Sequence, residues 1–386
     1  MGAFANPKIK TDCLGDIDTP TVEELQKMHW SQYILHACNG KLTSISVEKN
    51  WLPRDPVVNP QGVCVALGRE DTVYVILPTM ICKSSDGGRT WNSYQCTDTN
   101  GAFEILNDGT FIRLFGGDIN QPVIVQSSSD EGRTWKEISQ IELPKDHSGG
   151  VHWVLCCPDN VLVCAVAVAD HVFESVDNKL KLLSGKGSLR TYRSIDGGKS
   201  WHNPADITDW GSEGGVTLTA SGKLLAVVRY QRPILPEDPP GLEKRTGSIS
   251  AGWPYKHVFL TDSTDQGLTW KNFRQLTTVF GQTRGYPASL NNGIIVVIHD
   301  TRYGPGSPGS RAMVSYDDGI TWSNEVYYMD YTTFTGSYNE SVVLNDGTIL
   351  TVAASSQAGN SWEAVAGNTD LIAIRWKPVN TIDLQG

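Results

Sequence analysis

SSDGGRTW, at residues 84–91, returns four more times along the chain: SSDEGRTW (128–135), SIDGGKSW (194–201), STDQGLTW (263–270) and SYDDGITW (315–322). All five copies read Ser-x-Asp-x-Gly-x-Thr/Ser-Trp. A recurring octapeptide of this kind implies stacked copies of one supersecondary unit. Ser and Asp side chains hydrogen-bond their own backbone and set up a tight turn. The fixed glycine, Gly88 or Gly319 for example, supplies a positive φ that other residues resist. The closing tryptophan is large enough to cover a hairpin end, and its indole N–H can find a polar partner. The five aspartates are therefore read as structural.

A second pattern alternates with the first. Six segments carry two apolar runs around a turn: 66–77, 104–115, 154–167, 217–229, 289–300 and 342–354. Their Asp-Gly, Ser-Gly and Asn-Gly pairs are favoured hairpin turns, and the flanks are β-branched. Each of the first five precedes an octapeptide. The copies recur about every 58 residues, so six units nearly fill the 386-residue chain. The expectation is one closed all-β domain over 1–386, with the N-terminal segment 1–50 helping to close the last unit. YILHACNGKLTSISV (33–47) is the run expected to supply that strand, since closure removes an exposed sheet edge. TPTVEELQKMHW (19–30) is the helical exception, with Thr21 and Glu24 as a capping box. PILPEDPPGLEK (233–244) is a Pro-rich, charged insertion within the fourth unit, and long loops on a rigid scaffold often carry function.

Composition excludes several classes. The net charge is −10, which disfavours non-specific nucleic-acid binding. An anionic substrate would need a local basic pocket. No stretch approaches the roughly 18 apolar residues of a membrane span, and the N-terminus lacks the apolar core of a secretory signal. A cytoplasmic location, with eight reduced cysteines and no metal pair of the CxxC type, is the resulting expectation. A protein trimmed of its leader would instead be secreted.

The hairpin register offers candidate site residues. Eight positions before the turns at Ser221, Asn292 and Asp346 stand Glu213, Arg284 and Tyr338. Equivalent positions of a ring of repeats point toward one end of its axis, so an acid, a base and a phenol converge. The same level in the second and third units falls at Asn100 and Val151, with His152 next to the latter.

The octapeptide resembles the Asp-box, or BNR repeat, of the sialidase (neuraminidase) superfamily. That resemblance implies a six-bladed β-propeller whose boxes lie at the periphery, away from the active site. SEGGVTLTASGKLLAVVRYQ (212–231) is similar to the sialidase segment that carries a Glu and a downstream Arg, roles matched by Glu213 and Arg229. GSYNESVVLNDGTILTV (336–352) looks like the segment of the Tyr nucleophile, matched by Tyr338. Arg302 and Arg311, before the fifth box, both match another arginine of the carboxylate-binding triad. Arg54, in PRDP, is the nearest match to the first. Asp55 and Asp71 lie where the family has its acid–base Asp, without a matching motif. The activity implied is exo-hydrolysis of a terminal acidic sugar, sialic acid or a relative. Arg229, Arg302, Arg311, Arg284, Arg54 and His152 would bind substrate, and no cofactor or metal is implied. The chemistry is coherent: guanidinium forks suit a sugar carboxylate. A neutral Tyr activated by Glu213 avoids the repulsion that a charged nucleophile would meet there.

Two rival classes stay open. His147, His152 and His299, with Tyr303, suit a propeller lyase in which a His or Tyr removes the proton beside a neutralised uronate carboxylate. A propeller can also bind sugar or protein without chemistry, because fold does not imply function.

Overall fold

A computed structural model describes residues 20–54, 63–96, 101–170, 172–176, 179–184, 187–232, 236, 255–277, 282–301, 309–331, 339–355 and 370–379. Six antiparallel sheets are arranged as the blades of a β-propeller. The first strand of each blade is the innermost: Cys64–Leu67, Ala102–Ile105, His147–Cys156, Gly211–Leu218, Gln282–Ser289 and Asn339–Val343. Each inner strand touches the next around a complete ring. Every inner strand runs from the face here called upper to the lower face.

Burial explains the strand composition. The second and third strands of a blade are covered on both sides by neighbouring blades. The second strands in particular read as apolar runs rather than alternating ones, and Ile295–Thr301, like the third strand Asp370–Trp376, is buried at every position. Fourth strands without a further strand outside them are more exposed, and Asn92–Gln95 is mostly exposed. Blades one, two and four are simple meanders, while the upper end of blade three also carries the hairpin Val172–Val176 and Lys179–Ser184.

The octapeptides join the third and fourth strands of blades one to five at the lower face. All five close identically. The Ser Oγ accepts the glycine N–H at 2.7–2.9 Å. The Asp Oδ2 accepts the Thr or Ser hydroxyl at 2.6 Å. The glycine has a second duty beyond its positive φ. A Cβ on Gly88 would lie 2.7 Å from Leu350, on Gly132 2.6 Å from Ile81, and on Gly198 2.5 Å from Ile112. In each case the neighbour belongs to a middle strand of the preceding blade. The tryptophans pack into the same inter-blade seams, and Trp270 Nε1 donates to Thr191 of blade three at 3.0 Å. They plug the seam between blades, rather than merely the hairpin end.

Ring closure differs from expectation in its strand. The last sheet, Asn339–Val343, Ile349–Ser355 and Asp370–Trp376, is completed by Glu48–Trp51, with Ile372 opposite Trp51. The run 33–47 instead forms a hairpin, Tyr33–Cys38 and Lys41–Ser46, on the outer edge of blade five. A buried polar pairing holds the hairpin against blade five. His36 Nε2 meets Glu325 Oε2 at 2.9 Å, and the same oxygen accepts the Tyr327 hydroxyl. The helix forms over Val22–His29 with its Thr21–Glu24 capping box intact. His29 Nδ1 reaches Asp330 at 2.7 Å and docks the helix on blade five. All seven cysteines among the described residues are free thiols.

Two outcomes follow for stability. Ser315 is fully buried, so Ser315→Ala strips the Gly319 N–H of its acceptor and should cost about 1–3 kcal/mol in chemical denaturation. The carboxyls of Asp86, Asp130 and Asp196 are drawn down to about 2. For Asp130 the Ser128 and Thr134 hydrogen bonds do this; for Asp86 and Asp196 such bonds overcome an opposing effect of burial. These folded values lie below the unfolded one, so the stability they supply is present above about pH 4 and is lost as the pH falls toward 2. Acid unfolding followed by circular dichroism should show that loss.

Candidate active site

The site begins with a defect repeated in three inner strands. The ladder slips between Val151 and Trp153 in blade three, between Gly211 and Gly214 in blade four, and between Thr283 and Gly285 in blade five. Such a β-bulge sets two residues against one, bends the strand and re-aims a side chain. The residues caught in the slips include His152, Glu213 and Arg284. All three bulges lie toward the upper face, opposite the octapeptides.

Glu213 is ion-paired with Arg229, which stands across the slip on the second strand of the same blade. Arg284 reaches the other way, from blade five to blade six, and its Nη2 donates to Glu340 Oε1 at 3.3 Å. The second oxygen of Glu340 accepts the Val65 N–H of blade one at 3.0 Å. Glu340 thus ties three inner strands together. Asp300, fully buried, accepts the Thr283 N–H and hydroxyl at 3.2 and 2.6 Å and braces the bulge that carries Arg284. Blades four and five close tightly here because Gly215 has no side chain: a Cβ would lie 2.7 Å from the Tyr286 ring.

His152 shares the field of this cluster. Burial pushes its imidazole down to about 4, with Arg284 and Arg229 adding to the effect and Glu213 opposing it. It is a neutral imidazole at ordinary pH. Deeper along the axis lie Cys64, Glu104 and Tyr286. Burial raises the Glu104 carboxyl to about 7, although its oxygens accept the N–H groups of Ile105 and Cys156. Burial raises Glu340 to about 7 as well, against the pull of Arg284 and Val65, with Glu104 assisting. Burial also lifts the Tyr286 phenol and the Cys64 thiol well above their ordinary values. The arrangement can hold a polar ligand against guanidinium groups, offer carboxylates at different depths, and keep a neutral base nearby.

Glu213, Arg229, Arg284 and His152 therefore come together. Arg311 does not stand on an inner strand. It is buried on the third strand of blade five, 5.0 Å over the Tyr328 ring, and burial lowers it to about 10. Arg54 follows the closing strand, half-exposed, with its Nε 3.4 Å from Asp370. Asp71 is at the lower face, where its carboxylate accepts the Asn345 N–H at 2.8 Å and staples blade one to blade six. His147 is at the upper start of its strand, against the Lys145 carbonyl at 2.8 Å. His299 is buried on a second strand, and burial drops it to about 4. Tyr338, Arg302, Tyr303, Asn100, Asp55 and, apart from residue 236, the insertion 233–244 lie outside the described residues; in sequence, Tyr338 immediately precedes the inner strand Asn339–Val343. Glu340, Glu104 and Tyr286 were not singled out by sequence. Tyr286 is two residues beyond Arg284, the strand spacing that returns to one face.

No protein-family model matches the chain, and no curated protein matches it in sequence. Solved structures do match in fold. A protein of unknown function from Dyadobacter fermentans superposes with a TM-score of 0.58 at 14% identity, covering 86% of this chain and 98% of that one. The GH93 α-L-arabinofuranosidase of Fusarium graminearum, solved with arabinobiose, gives 0.56 at 18% identity, covering 89% and 99%. The Trypanosoma rangeli sialidase, solved with the inhibitor DANA, gives 0.50 at 13% identity, covering 90% of this chain and 57% of that one. The chain has the six-bladed fold found among propeller glycosidases.

His152, His257 and His299 are all held below the unfolded value of 6.5, burial being the first cause in each. Their folded-state preference for the neutral form contributes stability above pH 6.5 that is lost as the pH falls toward about 4. The Cε1 proton resonance of His152 should accordingly stay flat from pH 8 to 5.5. A titration centred near 6.5 would place the ring in open solvent.

Proposed function

We propose that the protein is an exo-acting glycoside hydrolase for an acidic sugar, with its site on the axis at the upper face. The observation that carries this reading is the convergence of Glu213, Arg229 and Arg284 at aligned bulges. Arg229 and Arg284 would clamp the sugar carboxylate, since a guanidinium presents its donors in a planar fork that matches a carboxylate. Tyr338 would attack the anomeric carbon as its phenol proton passes to Glu213, while the glycosidic C–O bond breaks. With Asp71 held at the lower face, Asp55 is the remaining acid from that region for the leaving oxygen. Arg302, next in sequence after the second strand of blade five, would complete the clamp. His152 would line the pocket as a neutral hydrogen-bonding group.

One observation favours a second substrate class. Each of the two central arginines already faces a protein carboxylate, so the cluster carries little surplus positive charge. That balance suits a neutral sugar, and the arabinofuranosidase likeness in fold is compatible with it.

The deciding assay sets a fluorogenic sialoside beside a fluorogenic α-L-arabinofuranoside. A uronate polymer is followed in parallel for its ultraviolet-absorbing unsaturated product. Sialoside turnover lowered at least 100-fold in Glu213→Gln and Tyr338→Phe is the expected result, consistent with loss of a general base or nucleophile. Turnover of the arabinofuranoside alone would move the protein to neutral glycosides. Unsaturated product would make it a lyase, with the neutral imidazole of His152 as the base.

A further inference from the structure

Glu340 has a place in the site that the hydrolytic scheme leaves unused. It is 5% exposed and sits on the innermost strand of blade six. One of its oxygens is 3.3 Å from the Arg284 guanidinium; the other is 3.0 Å from the Val65 N–H. The groups that face it are Arg284 and Tyr286 from blade five, Cys64 from blade one and Glu104 from blade two. Glu104, the other carboxyl in this part of the axis, accepts two main-chain N–H groups. Glu340, by contrast, is bound to an arginine of the proposed clamp. It presents to Arg284 the same chemical group that an acidic sugar would present.

We propose that Glu340 is a positioning residue that holds Arg284 in place and competes with the carboxylate of an acidic sugar for it, so that anion binding is coupled to protonation of Glu340. The inference rests on the acidic-sugar reading above. Two carboxylates crowding one guanidinium repel each other, and the conflict is relieved when one of them takes up a proton. The raised value of Glu340, about 7, puts that uptake within the neutral range. Below it, Glu340 is protonated and no longer neutralises the positive charge of Arg284. Above it, Glu340 is ionised and neutralises Arg284. Affinity for an anionic sugar should therefore fall as the pH rises through 7, by up to about tenfold per pH unit for one linked proton. A neutral analogue should show no such slope.

The test uses N-acetylneuraminic acid and its uncharged methyl ester as probes. Binding to the full chain is measured by calorimetry from pH 6 to 8.5, in two buffers of different ionisation heat. The wild type should bind the acid with proton uptake and weaken above pH 7. Glu340→Gln keeps a single acceptor oxygen, enough for Arg284 or for the Val65 N–H but not for both, and should bind the acid with an affinity that is flat in pH. Glu340→Asp should restore the slope. A purely structural role would lower stability or affinity without moving the pH profile. An unchanged slope in a folded Glu340→Gln protein, with preference for the acid intact, would overturn this inference alone. Equal binding of acid and ester by the wild type, or binding of neither, would overturn it together with the acidic-sugar reading.

Discussion

Six separate sheets have to be pressed into one ring, and the contact that sets their spacing is the octapeptide glycine against the blade before it. At Gly88, Gly132 and Gly198 there is no room for a methyl group, and the same position has a positive φ. Two independent demands meet at one residue. The Ser and Asp side chains hold the turn so that the glycine arrives at the seam, and the Trp fills the space beside it. The Gly88 contact with Leu350 is the one that crosses from blade one to blade six, so the same device serves the join between the two ends of the ring.

With the lower face given over to packing, the upper face is free to carry irregularity. The bulges at His152, Glu213 and Arg284 interrupt ladders that are otherwise regular below them. Their cost is offset locally: Asp300 satisfies the main chain beside one slip, and Arg229 answers the side chain at another. Charges so far inside a fold need partners, since removing one member of a buried pair typically costs about 3–5 kcal/mol. Glu340 and Arg284 meet that need for each other across a blade boundary.

The architecture was legible in the sequence because it rests on repeated local chemistry. Five turns with one hydrogen-bond pattern, and hairpins spaced between them, leave few alternatives to a propeller. The site was legible in part. Counting back from the hairpin turns found Glu213 and Arg284 together because their strands share the same extra residue. In blade three the extra residue falls one position later, at His152. Blade six has no slip among its described pairs, so the same count does not point to Glu340. An insertion of one residue leaves no mark in composition or periodicity. The choice of closing strand was hidden for a different reason. Both 33–47 and 48–51 can pair as strands, and what separates them is the buried partner that His36 finds in Glu325.

The closing strand has a further consequence for how the protein is made. Glu48–Trp51 leaves the ribosome about 320 residues ahead of its partner Asp370–Trp376. At synthesis rates of about 5–20 residues per second, the early strand waits some tens of seconds with its ladder groups unmatched. Blades one to five complete their own meanders from neighbouring sequence in that interval. The sixth is a late, non-local event of the kind that slows folding. The growing chain therefore passes through a nearly finished ring with two complementary edges, and a second nascent copy offers the same pair of edges. Exchange of the closing strand between two chains is the misassembly to which this topology is most exposed.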